Sequence, residues 1–381
     1  ASGYNPRGLS LGDLNGDGQP DLVVPGDGQS VILTYRNIST ASGSLSFVLN
    51  TPNLTITSGT KPIITSLADL DGDGKLDILT GDNAGADVNV FRNTTAPGST
   101  SLTFATSVEL VGLASLNYVN TGDFDGDGRP DIVASNLTNS SISVFRNRSI
   151  SGTISFAPQQ AISASTNTSG VSVGDFDQDG KVDVVVSNAG TGLVYIYQNR
   201  STSGTISLTL AGSLTGLTTT YKTSIGDFDG DGYPDLAIGT ATGASFYLNT
   251  SVLGSISFTS RGAFTTGANP GFGVQLADVD GDGMLDVALT SNVTNGVVNV
   301  LKNISAGVGS ITFTSRVIYN VGSGPENLVL GDMNGDGQPD MVVANYSGSS
   351  LSLFRNLVTN ILPPVITQVN QIGRASCRER V

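Results

Sequence analysis

The chain has 381 residues, of which 32 are acidic, 18 are basic and none is histidine or tryptophan, for a formal net charge of −14. A field of that sign with no basic patch argues against nucleic acid and against an anionic membrane as partners. Without histidine there is no Ser-His-Asp or Cys-His nucleophile system, and with Cys377 as the sole cysteine there is neither a disulfide nor a Cys/His zinc site. Glycine is abundant at 49, charged residues make up only 13%, and Val, Ile, Leu and Thr are prominent, which favours strands. No window keeps an i, i+3, i+4, i+7 apolar spacing, so helices should be few. Neither a signal peptide nor a membrane span is visible, and residue 1 falls inside a repeat, so any leader is expected to lie upstream.

The first nine-residue word, DLNGDGQPD, begins at Asp13. Close copies begin at Asp69, Asp123, Asp175, Asp227, Asp278 and Asp332, at intervals of 51 to 56 residues. A period near 50 marks a propeller or a solenoid. One period shows the unit. VSVGD (171–175) alternates into the word, VDVVVSN (182–188) is an apolar run, LVYIYQN (193–199) a third strand and ISLTLAGSL (206–214) a fourth. Four strands joined by short Gly/Ser/Thr/Asn turns match a propeller blade. Third strands elsewhere end in the same register, at Asn37, Asn93, Asn147, Asn249, Asn303 and Asn356. Fourth strands are expected to open at Leu45, Leu102, Ile154, Ile256 and Ile311. Most of the register asparagines begin N-x-S/T triplets, and a turn-forming role is favoured over glycosylation. Tyr and Phe in the third strands read as packing between blades.

The expected fold is all-β: a seven-bladed propeller of four-stranded antiparallel blades over residues 1–357. After Asn356 no ISF-type segment follows, so the seventh blade is expected to lack its outer strand. Residues 358–371, with Pro363-Pro364, read as a linker to a further module, which makes the chain part of a longer multidomain protein. Residues 372–381, IGRASCRERV, break the composition and resemble translated sequencing-adapter DNA, so they are set aside from fold reasoning.

The words hold 26 of the 32 acidic residues. Such clustering points to bound cations, and seven divalent ions would bring the formal charge to zero. A hard dication takes six to eight oxygens. Position 1 offers Asp13, Asp69, Asp123, Asp175, Asp227, Asp278 and Asp332. Position 3 offers Asn15, Asp71, Asp125, Asp177, Asp229, Asp280 and Asn334. Position 5 offers Asp17, Asp73, Asp127, Asp179, Asp231, Asp282 and Asp336. Position 7 offers the backbone carbonyls of Gln19, Lys75, Arg129, Lys181, Tyr233, Met284 and Gln338. Position 9 closes the set with Asp21, Asp77, Asp131, Asp183, Asp235, Asp286 and Asp340. Asn15 and Asn334 each remove a charge, which should weaken the first and last sites. Glycine at position 6 is expected to take the left-handed turn, and position 4 to point outward, so that Gln178 is tolerated there. No helix flanks the words and no Glu stands at position 12, which disfavours an EF-hand. A bare turn would need one Asp rather than four, and magnesium would keep its waters, so calcium is the expected ion.

The words, the period and the count of seven resemble the FG-GAP/VCBS repeats of integrin-α-like propellers, and the FRN…SGxISF phrasing looks like the secreted bacterial surface type. The resemblance implies about seven calcium ions, one in the loop between the first and second strands of each blade. If each site binds at about 0.1 mM, then at about 1 mM calcium each contributes roughly 1.4 kcal/mol, and seven sum to about 10 kcal/mol. Cytosolic calcium would add almost nothing, so an extracellular setting is expected, secreted or on the cell surface. The expected function is a non-enzymatic adhesion or binding scaffold for a protein or glycan, docked on the face opposite the calcium loops. That face would include the loops 81–87, 136–141, 291–296 and 345–350, which are small, polar and free of an aromatic cluster. The alternatives are the propeller of a carbohydrate-active lyase or hydrolase, or a spacer in a larger surface protein. A cluster of Lys, Arg, Tyr and spare carboxylate at the ring axis would favour the enzyme.

Overall fold

The computed structural model describes residues 4–358, apart from 41–42, 57–58, 60, 86, 114, 166, 267–269 and 293–295, together with the strand at 366–372. Among the described residues there is no helix; the chain forms seven antiparallel sheets taken up in sequence order. The inner strands are Ser10–Gly12, Pro62–Ala68, Leu116–Gly122, Thr168–Gly174, Thr220–Gly226, Pro270–Ala277 and Pro325–Gly331. Each lies beside the next, and the seventh lies beside the first, so the ring is closed. The third blade is typical: Leu116–Gly122, Asp131–Asn136, Ser141–Phe145 and Gln160–Ser163 pair in that order. Each word fills the loop between the inner and second strands, and all seven second strands are buried along their whole length.

The core lies between blades rather than within them. Phe124, Val133 and Val144 of the third blade pack on Val171, Val184 and Tyr197 of the fourth. Across the closing seam, Leu22, Val24 and Leu33 of the first blade pack on Met333, Val342 and Leu353 of the seventh. A sheet with two apolar faces gains from burial only when neighbours cover both, which is why the strand runs are apolar without alternation.

Two expectations about outer strands need refinement. In the second, third and sixth blades the Leu/Ile-x-Phe segments are not the outer strand itself. Their phenylalanines form single bridges to the register asparagines (Asn93 with Phe104, Asn147 with Phe156, Asn303 with Phe313), and the outer strands begin later, at Val108, Gln160 and Val317. Leu102 instead fills the gap between the first two blades beside Leu14 and Ile32. In the seventh blade the repeat itself supplies three strands and no ISF-type fourth, as expected. The edge of Ser350–Asn356 is met by Ile366–Ile372, antiparallel, with Asn356 opposite Ile366. This strand takes up the end of the stretch read as a linker and, at Ile372, the first residue of the stretch set aside, and it pairs the backbone groups that an open edge would expose. Residues 373–381, including Cys377, lie outside the described residues.

Candidate functional site: acidic loops and the ring axis

The residue at position 2 of each word is apolar and buried: Leu14, Leu70, Phe124, Phe176, Phe228, Val279 and Met333. Its amide donates to the position-9 carboxylate, as from Phe124 to Asp131 Oδ2 at 3.0 Å. The other oxygen of that carboxylate accepts from the register asparagine, as from Asn147 N at 2.7 Å. Asn147 Nδ2 then donates to Pro130 O in its own blade and to Leu70 O in the preceding one, both at 2.8 Å. The same stitch recurs in every blade, and Asn37 Nδ2 to Met333 O at 2.7 Å closes the ring. The six of these asparagines that begin N-x-S/T triplets are buried with both Nδ2 hydrogens engaged, which supports the structural reading of the triplets.

Position-1 carboxylates accept amides from the turn. Asp227 takes Gly230 N at 2.7 Å on Oδ1 and Gly232 N at 2.8 Å on Oδ2. Glycine at position 6 is left-handed, as expected (φ +86° at Gly232). Position 4 is left-handed too, near +70° to +79°, and Gln178 stands there at φ +55°. Its Nε2 reaches Gly232 O of the next blade at 2.9 Å, so this residue links two words besides being tolerated.

Position 3 is held by the neighbouring blade. Asp71 accepts Gly152 N, Asp125 accepts Gly204 N and Asp229 accepts Gly309 N on Oδ2, each from the loop after the third strand of the following blade. The residue before the register asparagine steers the same oxygen: Arg146 to Asp125 at 3.5 Å, Gln198 to Asp177, and Lys302 to Asp280. This leaves Asp125 Oδ1, Asp177 Oδ1 and Asp280 Oδ1 buried without a hydrogen-bond partner. A buried carboxylate oxygen with no donor is costly, and a cation removes that cost. Five words bring three carboxylates to within 4.8 Å of one another: Asp69, Asp71 and Asp77; Asp123, Asp125 and Asp127; Asp175, Asp177 and Asp183; Asp227, Asp229 and Asp235; and Asp278, Asp280 and Asp282. These residues fit a hard dication. In the first and seventh words Asn15 and Asn334 instead donate Nδ2 to Asp17 and Asp336, both at 2.9 Å. Burial pushes Asp336 up, but Asn334, the Gln338 amide and Arg355 outweigh it and hold the group below its ordinary value. Burial carries the position-9 groups up, Asp131 to about 6 and Asp183 to about 7, against the pull of their two amide bonds.

A second feature was missed in the sequence. Five residues before each word stand Gly8, Ile64, Tyr118, Gly170, Lys222, Gly273 and Asn327. Ile64, Tyr118, Lys222 and Asn327 line a cavity of about 250 Å³ between the inner strands, with Leu9, Thr65, Ser66, Val119, Asn120 and Ser172. The glycines permit close strand approach: a Cβ on Gly170 would sit 2.5 Å from Tyr221 O. In the fifth blade the pairing slips between Thr220 and Thr223, a bulge holding Tyr221 and Lys222. Bulges re-aim side chains. Burial lowers Lys222 to about 8 and holds the Tyr118 hydroxyl well above its ordinary value. One register step away, Arg7 pairs with Glu326 at 2.8 Å and lies over the rings of Phe272 and Tyr346 at 5.9 and 5.3 Å, while Tyr221 meets Phe272 edge-on at 4.6 Å. An aromatic cluster therefore exists, built on the starts of the inner strands and joined by Tyr346 from the loop at 345–350. Aligning the seven repeats on their words would have exposed Lys222 as the one charged residue in its column.

A model of the FG-GAP-like repeat matches residues 13–80, 69–134, 123–186, 175–238 and 227–289. The chain belongs to the FG-GAP-like repeat family. No curated protein sequence matches it. Among solved structures it is similar to BBS1N in complex with ARL6DN (13% identity, TM-score 0.54, 89% of each chain covered). It is also similar to an Agrocybe aegerita lectin that recognises non-reducing terminal N-acetylglucosamine (19% identity, TM-score 0.57, 94% of this chain and 93% of that one). At these identities the likeness concerns the fold of this FG-GAP propeller.

Proposed function

We propose that this FG-GAP propeller is a calcium-stabilised, non-enzymatic binding scaffold that works outside the cell and docks a protein or glycan on the face opposite the acidic words. The observation that carries the calcium half is Asp125, sealed by Gly204 N of the neighbouring blade with its Oδ1 left bare, together with the same bare oxygen on Asp177 and Asp280. The ions would be held by positions 1, 3, 5 and 9 and would neutralise carboxylates that otherwise repel. The docking half draws support from relatives in shape, one solved with a protein bound and one named for sugar recognition. An enzymatic reading draws on Lys222 and Tyr118 at the axis, but the nearby carboxylate of Glu326 is engaged by Arg7. The test is a thermal melt with calcium and with a chelator, followed by a substitution scan across the loops at 136–141 and 345–350. A melting temperature indifferent to chelation refutes the calcium half. Partner capture unaffected by every loop variant refutes the docking face.

A further inference from the structure

Lys222 is one of five lysines and differs from the other four. Lys75 and Lys302 pair with word carboxylates, Lys181 donates to Ser201 O, and Lys61 is exposed. Among the described residues nothing hydrogen-bonds or ion-pairs with Lys222 Nζ. The side chain is half-buried and lines the axial cavity. It stands five residues before Asp227, about 16 Å along an extended strand, so the word carboxylates do not serve it.

The other polar groups of the cavity point to what would serve it. Asn120 Oδ1 accepts Thr121 N and Asn327 Oδ1 accepts Leu328 N, both at 2.9 Å. Each amide oxygen already accepts one backbone hydrogen bond, and each amide keeps its Nδ2 donors. With the ammonium, the cavity therefore offers several donors and no carboxylate among its lining residues. Leu9 and Val119 supply apolar wall beside them. A site rich in donors, with one cation and one apolar side, suits an acceptor-rich small anion. The lining holds no arginine for a bidentate phosphate fork, and inorganic phosphate is the control that separates the two anions. At about 250 Å³ the space suits a single small ring rather than a chain.

We propose that the axial cavity binds a small hydroxylated carboxylate, of which a hexuronate is the simplest sugar form, with Lys222 Nζ on the carboxylate and Asn120 and Asn327 donating to hydroxyl oxygens. This assignment does not depend on calcium in the words or on the opposite face as a docking surface. It is tested by calorimetric titration of the full chain, in calcium, with D-glucuronate, D-glucose and inorganic phosphate. D-glucuronate should bind in the millimolar range, at least about tenfold tighter than either control, and Lys222→Met should bring it down to the glucose level. A second measurement uses the unaltered protein: acetylation of the lysines, mapped by peptide mass, should show Lys222 protected by glucuronate and not by glucose. Equal binding of glucuronate and glucose, unchanged binding by Lys222→Met, or no protection overturns the proposal. Phosphate binding as well as glucuronate overturns the carboxylate assignment.

Discussion

Lys222→Met should make the protein more stable, and the gain should depend on pH. The ammonium costs free energy in the fold because burial holds its pKa near 8 against an ordinary 10.5. At 1.36 kcal/mol per unit that is about 3 kcal/mol. Contact with the cavity screens part of it, so about 2 kcal/mol is the expected gain at pH 7. Methionine keeps most of the unbranched stem and so most of the packing. The sign follows from proton linkage. Between pH 8 and 10.5 the unfolded chain holds a proton on Lys222 that the folded chain has released. Stability of the parent protein therefore rises with pH through that window, whereas the variant lacks this slope. Urea titrations followed by far-UV circular dichroism, in excess calcium, at pH 7 and about pH 10.5 measure both. The difference should be near 2 kcal/mol at pH 7 and close to zero at the higher value. A variant that is less stable at pH 7, or a gap that ignores pH, refutes the picture of an unpaired, desolvated cation.

Asn147→Ala removes two buried donors and leaves Leu70 O and Pro130 O bare, so it should cost about 3 kcal/mol in a urea titration. Gly128→Ala, at φ +85° with nothing within 4 Å of the added Cβ, should cost about 1–2 kcal/mol from backbone strain alone; Gln178→Gly should be close to neutral. Asn15→Asp should lower the melting temperature under chelation and raise it in calcium, since it adds a charge that only a cation satisfies. Arg7→Met leaves Glu326, 6% exposed, without its partner and should cost about 3–5 kcal/mol, read as a lower urea midpoint.

The blade count, the strand order and the loop that carries the acids were legible because they repeat. Seven copies of one word turn a weak local signal into a period, and the apolar second strands behind each word set the sheet direction. What the copies hide is the contact between them. Position 2 looks like filler in a single word, yet Phe124 supplies an amide to Asp131 and a carbonyl to Asn199 of the next blade. The arginine of FRN looks like surface charge, yet Arg146 holds one oxygen of Asp125 so that the other stays bare. Lys222 escaped for the opposite reason: it occurs once, and a search for recurring residues passes over a singular one. The position of the outer strands was misjudged because Leu102 and its equivalents have strand-like sequence but spend their side chains on the gap between blades.

The stitching bears on how the ring responds to its ions. In a solenoid each repeat meets only its neighbours and can melt from an end. Here the end is removed: Asn37 reaches Met333, Arg7 reaches Glu326, and Arg355 reaches Gly43 O at 2.9 Å. The second, third and fifth words are also closed by an amide from the loop of the following blade, as Gly204 N closes on Asp125. A cation in one word therefore stabilises an interface and not a single blade, and its loss loosens two blades together. Ion release and unfolding should then share one transition instead of seven. Calorimetry at falling calcium should show a single peak that moves down in temperature without splitting; separate peaks would mean that the stitches between blades are too weak to couple them.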